Sequence, residues 1–183
     1  ERIIAHTSNF RKVKRVEDVI RIFQKVYKNV PSKLLMIGDG PERQNAERLC
    51  RDIGLCDEVR FLGKQDAIEE LLAICDLFII PSESESFGLA ALEAMACEVP
   101  VISSDSGGLP EINIHGVTGF TSQPGNVDAM AKYAIQLLQN EEMLTQFRAN
   151  ALAQAQRFDI ENILPQYEAY YEEVLEKSVV KVE

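Results

Sequence analysis

Short apolar runs alternate along the chain with stretches whose apolar positions recur at helical spacing, and polar, often glycine-bearing loops join them. Arg2 to Thr7, Lys33 to Ile37, Val59 to Leu62, Leu77 to Ile80 and Val99 to Ser103 read as strands, with a short sixth at Gly119 to Thr121. Helical spacing marks Val16, Val19, Ile20, Phe23, Val26 and Tyr27, then Glu42 to Ile53, a helix ending near Ile74, and Leu89 to Cys97. A short helix is predicted after Gly107 and Gly108. Val127 to Leu137 and Glu141 to Arg157 follow as helices. A last one is marked by Ile163, Leu164, Tyr167, Tyr170, Tyr171, Val174 and Leu175, with Pro165 placed in its first turn. Strand and helix alternating in this way predict an α/β domain: a Rossmann-like, doubly wound parallel sheet of about six strands with helices on both faces. It should span residues 1–177, leaving a frayed tail from Ser178.

In a parallel sheet every loop that follows a strand emerges on one edge, and ligands bind there, near the point where strand order reverses. The unusual loops are all of that kind. Ser8 to Arg15 holds Arg11, Lys12, Lys14 and Arg15 just before a helix, either as a solvated helix start or as the seat of an anion that relieves their clash with the helix dipole. Gly38 and Gly40 allow either close approach to a ligand or a tight turn, and the third glycine of a dinucleotide fingerprint is replaced by Arg43. Gly63 to Gln65 and the pair Gly107 and Gly108 complete the set, the pair suiting either a close approach or plain loop flexibility.

The loop from Ser82 to Gly88 leads into the most informative helix. Ser86 is placed to cap it, and the amides that follow are free donors for an anion. Glu93 is the one polar side chain in the run from Leu89 to Cys97. If that helix is buried on every face, Glu93 needs donors, and a ribose diol would supply two. Otherwise it meets water at the rim or pairs with a Lys or Arg. The aromatic stripe of the last helix is either core or a contact with another domain.

Bulk composition narrows the chemistry. The 183 residues are 46% hydrophobic and 26% charged, enough for one domain with a full core. No run approaches the ~20 apolar residues of a membrane span and no signal peptide precedes the first strand, so a cytoplasmic protein is expected. A net charge of −10 argues against nucleic acid or an acidic membrane surface as partner. The four cysteines, Cys50, Cys56, Cys75 and Cys97, have no zinc-site spacing and read as buried free thiols. The chain begins in a strand with no initiator methionine, and a larger protein cut at a domain boundary is expected.

Glu85 and Glu93, with seven residues between them and Phe87 and Gly88 inside that interval, resemble the two-glutamate motif of the retaining glycosyltransferases of family GT4. Gly38 to Pro41, Gly107 to Glu111 and Gly116 to Phe120 are similar to that family's signatures in the same order, so the resemblance covers nearly the whole chain. It implies the C-terminal, nucleotide-sugar-binding half of a GT-B enzyme, with no cofactor and no metal. On that resemblance Glu85 holds the donor sugar, Glu93 the ribose, and the amides around Ser86, Phe87, Gly88 and Leu89 the diphosphate or sugar. Lys14 matches the diphosphate lysine. The family's arginine position falls at Asn9, with Arg11 as its substitute. Gly38 and Gly40 join the binding rim, and the base rests near Gly63, Lys64 and Gln65. The implied partners are a UDP-sugar donor and a small acceptor held by an absent N-terminal domain, in an enzyme that could assemble with copies of itself. The wording of Ser8 to Arg15 and Ser82 to Val101 is most similar to members that move N-acetylglucosamine from UDP to L-malate in bacillithiol synthesis. A UDP-sugar 2-epimerase of the same architecture and a non-catalytic nucleotide sensor are the alternatives.

Overall fold

The computed structural model describes residues 1–179. Six strands form one parallel sheet: β1 (Arg2–Thr7), β2 (Ser32–Ile37), β3 (Val59–Gly63), β4 (Leu77–Ile80), β5 (Val101–Ser104) and β6 (Gly119–Ser122). Their order is β3-β2-β1-β4-β5-β6. The expected doubly wound α/β fold is therefore present, and the strand order reverses between β1 and β4.

Eight α-helices connect and cover the strands: α1 (Val16–Tyr27), α2 (Arg43–Asp52), α3 (Ile68–Leu72), α4 (Leu89–Ala96), α5 (Leu109–Ile112), α6 (Val127–Gln139), α7 (Glu141–Gln156) and α8 (Ile160–Val179). A single 3-10 turn, Lys12–Lys14, precedes α1. The strand pleat divides the core. Ile4, Leu77 and Ile79 point into one apolar cluster with α1, α2 and α6, whereas Ala5, Phe78 and Ile80 point into another with α4 and α5. All of β4 is buried, as a central parallel strand covered on both faces requires. Phe120 and Phe147 close the first cluster, while Ala151 and Ala155 of α7 reach the second.

Several boundaries differ from the periodicity, each for a local reason. The fifth strand begins at Val101 and not at Val99, because Pro100 has no N–H to give the ladder. Ser86 does not cap α4: Gly88 occupies the N-cap in a left-handed conformation, φ 98°, without a side-chain cap. The positive φ favours glycine, and a Cβ there would lie 2.8 Å from Leu109 Cδ2, so the leucine side chain would have to shift. The last helix starts at Ile160, where Asp159 Oδ1 accepts from the Glu161 amide at 2.9 Å. Pro165 is therefore inside α8 rather than in its first turn. Of the expected tail, Ser178 and Val179 continue α8, and residues 180–183 lie outside the described residues.

The stripe on α8 is not core within this chain: Ile160, Leu164, Tyr167, Tyr170, Tyr171 and Leu175 are all exposed. Nor are the thiols uniformly buried. Cys56 is exposed and Cys97 half-buried, while burial pushes Cys50 up to about 11 and Cys75 to about 12. No helix among the described residues is long and apolar enough to cross a membrane.

Candidate functional site

The loops at the C-terminal ends of the strands are joined in series by backbone hydrogen bonds. Gly38 N donates to Gly63 O at 2.7 Å, Glu42 N to Phe10 O at 2.8 Å, Glu83 N to Val13 O at 2.8 Å, and Gly108 N to Glu85 O at 3.0 Å. The loops after β1 to β5 thus form one rim. The glycines of this rim make it close-packed. A Cβ at Gly38 would sit 1.9 Å from Ser8 O, and one at Gly107 1.8 Å from Glu85 O. Gly40 likewise presses on Asn9. Their close approach is to neighbouring loop backbone, not to open space, and its effect is to set where Lys14 and Glu85 stand.

At the reversal of strand order the loops after β1 and β4 meet. Lys14 Nζ donates to Glu85 Oε1 at 2.6 Å, with 19% and 11% of the two side chains exposed. The same oxygen accepts from Ser82 Oγ at 2.9 Å. Ser82 is fully buried, and its carbonyl accepts from Ser104 Oγ at 2.6 Å and Ser106 Oγ at 3.2 Å, so β5 fixes the start of the loop.

The basic loop is held from below by His6, which the sequence reading overlooked. His6 is fully buried on β1; its Nδ1 lies 2.8 Å from Ile79 O and its Nε2 2.9 Å from Ser8 Oγ. A carbonyl only accepts, so Nδ1 carries the proton and Nε2 accepts from the serine hydroxyl. Ser8 Oγ in turn accepts from Phe10 N at 3.3 Å. Burial pushes the imidazole from 6.5 down to about 4, the positive charge of Lys14 adding to the effect, and it stays neutral at pH 7. Phe10 and Arg15, which bound the basic segment, both adopt positive φ, 37° and 50°. Such conformations persist in non-glycine residues only where the surroundings impose them. One signal pointed to His6: it is a polar residue on the buried strand that carries this loop.

Arg11 is exposed at the start of the 3-10 turn and forms no ion pair among the described residues. Lys64 and Gln65 are exposed beyond β3, where Gln65 Nε2 donates to Leu62 O at 2.7 Å. Ser86, Phe87 and Leu89 are exposed, Leu89 by 64%. The amides of Phe87, Gly88 and Leu89 donate no hydrogen bond among the described residues, leaving donors at the start of α4.

Of the two readings left open for Glu93, the structure shows the one at the rim. It lies on the open face of α4, because the run from Leu89 buries only Ala91, Ala94 and Met95. Partial burial of its carboxyl raises its pKa above the ordinary value, and the nearby Glu69 charge raises it further. No cation pairs with it among the described residues. A carboxylate beside a like charge and without donors is available to a ligand that brings its own.

A family model described as "Glycosyl transferases group 1" matches residues 1–154. The chain belongs to that glycosyltransferase family. The GT4 resemblance and the GT-B type of fold read from the sequence therefore both hold. N-acetyl-alpha-D-glucosaminyl L-malate synthase of Bacillus anthracis is 47% identical to this domain over 176 residues, 96% of this chain and 46% of that protein. Among solved structures, Anabaena Alr3699/HepE in complex with UDP and glucose superposes with a TM-score of 0.85 at 29% identity, covering 93% of this chain and 48% of that one. A sucrose-phosphate synthase of Thermosynechococcus elongatus gives 0.86 at 28% identity, over 97% of this chain and 46% of that one. The glycosyltransferase domain thus spans less than half the length of these relatives.

Proposed function

We propose that this domain binds the nucleotide-sugar donor of a retaining glycosyltransferase, and that the full enzyme transfers N-acetylglucosamine from its UDP form to L-malate. The observation that carries the donor reading is the meeting of Lys14 and Glu85, 2.6 Å apart where strand order reverses, beside the free amides of Phe87 to Leu89. Positive charge and amide donors suit a diphosphate, a carboxylate suits sugar hydroxyls, and the unpaired Glu93 suits a ribose diol. Binding of UDP and glucose by the Anabaena relative supports the donor class. The identity of 47% to the malate synthase supports N-acetylglucosamine and malate, and with them a cytoplasmic role in bacillithiol synthesis.

In this reading Lys14 and the unpaired Arg11 neutralise the departing diphosphate with no metal or other cofactor. Glu85 orients the sugar, the base rests by Gly63 to Gln65, and the acceptor attacks from the face the diphosphate leaves, so the anomeric configuration is kept. Positioning and charge stabilisation supply most of the rate. The acceptor is held by an N-terminal domain, against which the exposed stripe of α8 packs. Residues 1–177 are then a donor-binding unit that binds nucleotide without turnover. Incubating the full-length enzyme with UDP-N-acetylglucosamine and L-malate tests this. The α-linked glucosaminyl malate and UDP should appear together; free epimerised sugar without malate, or no preference for malate over other acceptors, contradicts it.

A further inference from the structure

Lys14 and Glu85 are paired at the rim. Glu85 Oε1 accepts from Lys14 Nζ at 2.6 Å and from Ser82 Oγ at 2.9 Å, and Oε2 has no partner among the described residues. Lys14 Nζ has no other partner there either. Both groups are mostly shielded from water, so neither gives up the other without cost unless a replacement arrives.

Resting on the donor reading above, in which diphosphate takes Lys14 and sugar takes Glu85, we propose that this ion pair makes the site select sugar-bearing nucleotides over bare nucleoside diphosphate. A diphosphate that draws Lys14 away leaves Glu85 with Ser82 alone. Only a donor that also carries a sugar supplies hydroxyls to fill the vacated place on the carboxylate. A ligand shifts such an equilibrium by no more than its differential affinity for the two arrangements, and the bare nucleotide has less to offer the open one. The same exchange favours product release: once the sugar has gone to the acceptor, Glu85 competes with the diphosphate for Lys14.

Calorimetric titration of the full-length protein tests the pair. Glu85→Gln should bind UDP roughly three- to ten-fold more tightly than the unaltered protein, as expected when a partly shielded ion pair no longer competes for the lysine. It should bind UDP-N-acetylglucosamine more weakly, and uridine, which has no phosphate, without change. Simple repulsion between Glu85 and the diphosphate would give the same gain in UDP affinity whether or not Lys14 is present. The exchange requires that gain to vanish in Lys14→Met. A gain of equal size in that background, or no gain in Glu85→Gln, overturns the proposal. Thermal melting checks that each variant is folded, and Glu85→Ala, for which the same direction is expected, serves if Glu85→Gln is not. The donor reading fails separately: UDP that does not bind, or binds Glu93→Ala undiminished, removes it and the pair with it. Weakened binding by Glu93→Ala with no gain in Glu85→Gln removes the pair alone.

Discussion

Strand β4 has a carboxylate at each end. Asp76, just before it, has donors on both oxygens: Oδ1 accepts from Arg2 Nη1 at 3.2 Å and Arg148 Nη2 at 2.7 Å, and Oδ2 from the amide of Ile3 at 2.8 Å. Glu85, past the other end, has two donors on one oxygen and none on the second among the described residues. The two side chains are shielded to a similar degree, 15% and 11% exposed, so burial does not separate them. What separates them is unfilled capacity. Asp76 ties the N-terminal edges of β1 and β4 to α7, and its chemistry is complete. Glu85 faces the rim with an acceptor to spare, beside a lysine and a row of free amides.

That contrast can be broken at either end. The largest expected effect is at the rim: Glu85→Gln in the full-length enzyme should lower kcat/KM by roughly a hundred-fold or more, as removal of a group that positions the transition state does. The melting temperature should fall by no more than about 2–4 °C, the cost of loosening one partly shielded ion pair. At the other end the pattern inverts. Asp76→Ala leaves Arg148 and the Ile3 amide without that acceptor and Arg2 with Glu141, and should cost about 2–3 kcal/mol in urea unfolding, somewhat below the figure for a fully buried pair because both arginines are partly exposed and Arg2 keeps one partner. A large activity loss without a stability loss for Asp76→Ala would erase the distinction.

His6 lies between these extremes, structural in its contacts and attached to the site through Ser8 and the basic loop. Its folded-state pKa of about 4 is below the unfolded 6.5, so the unfolded chain takes the proton first. The stability this contributes is complete above pH 6.5 and is lost as pH falls toward 4. Linkage puts the loss at roughly 1.5 kcal/mol between pH 6.5 and 5. Denaturant melts across that range should show His6→Gln with a flatter profile than the unaltered protein; parallel profiles would contradict the assignment.

The smallest effect concerns Glu93, whose pKa is raised by burial and by Glu69. Nucleotide affinity should begin to fall at a pH above that expected for an ordinary carboxylate. Glu69→Gln should move the fall to lower pH, as loss of one partly screened like charge does. No movement would show that Glu69 has no hold on the ribose position.

Much of this contrast was legible in the chain itself. The unbroken apolar run Leu77 to Ile80 fixed a central strand, and parallel topology alone required the loops with Lys14, Gly38, Gly63, Glu85 and Gly107 to share an edge. Spacing could not report what depends on side chains meeting across that edge. Spacing left the position of Glu93 open because the alanines around it say little about burial: α4 leaves Leu89 and Ala96 open on the face that carries the carboxylate. Ser86 has the right chemistry for a cap, but α4 begins two residues later, at Gly88, whose left-handed conformation favours glycine. The start of α8 was hidden because Asp159 nucleates it before the apolar stripe begins, which puts Pro165 inside. His6 gave only the weak signal of a polar residue on a buried strand.

The most direct test of the central claim, that the rim where β1 meets β4 holds a nucleotide sugar, is calorimetric titration of the full-length protein and its Glu93→Ala variant with UDP. Loss of a charged acceptor for two ribose hydroxyls predicts binding about ten-fold weaker in the variant, with an unchanged melting temperature. Equal affinity in the two proteins would contradict the account.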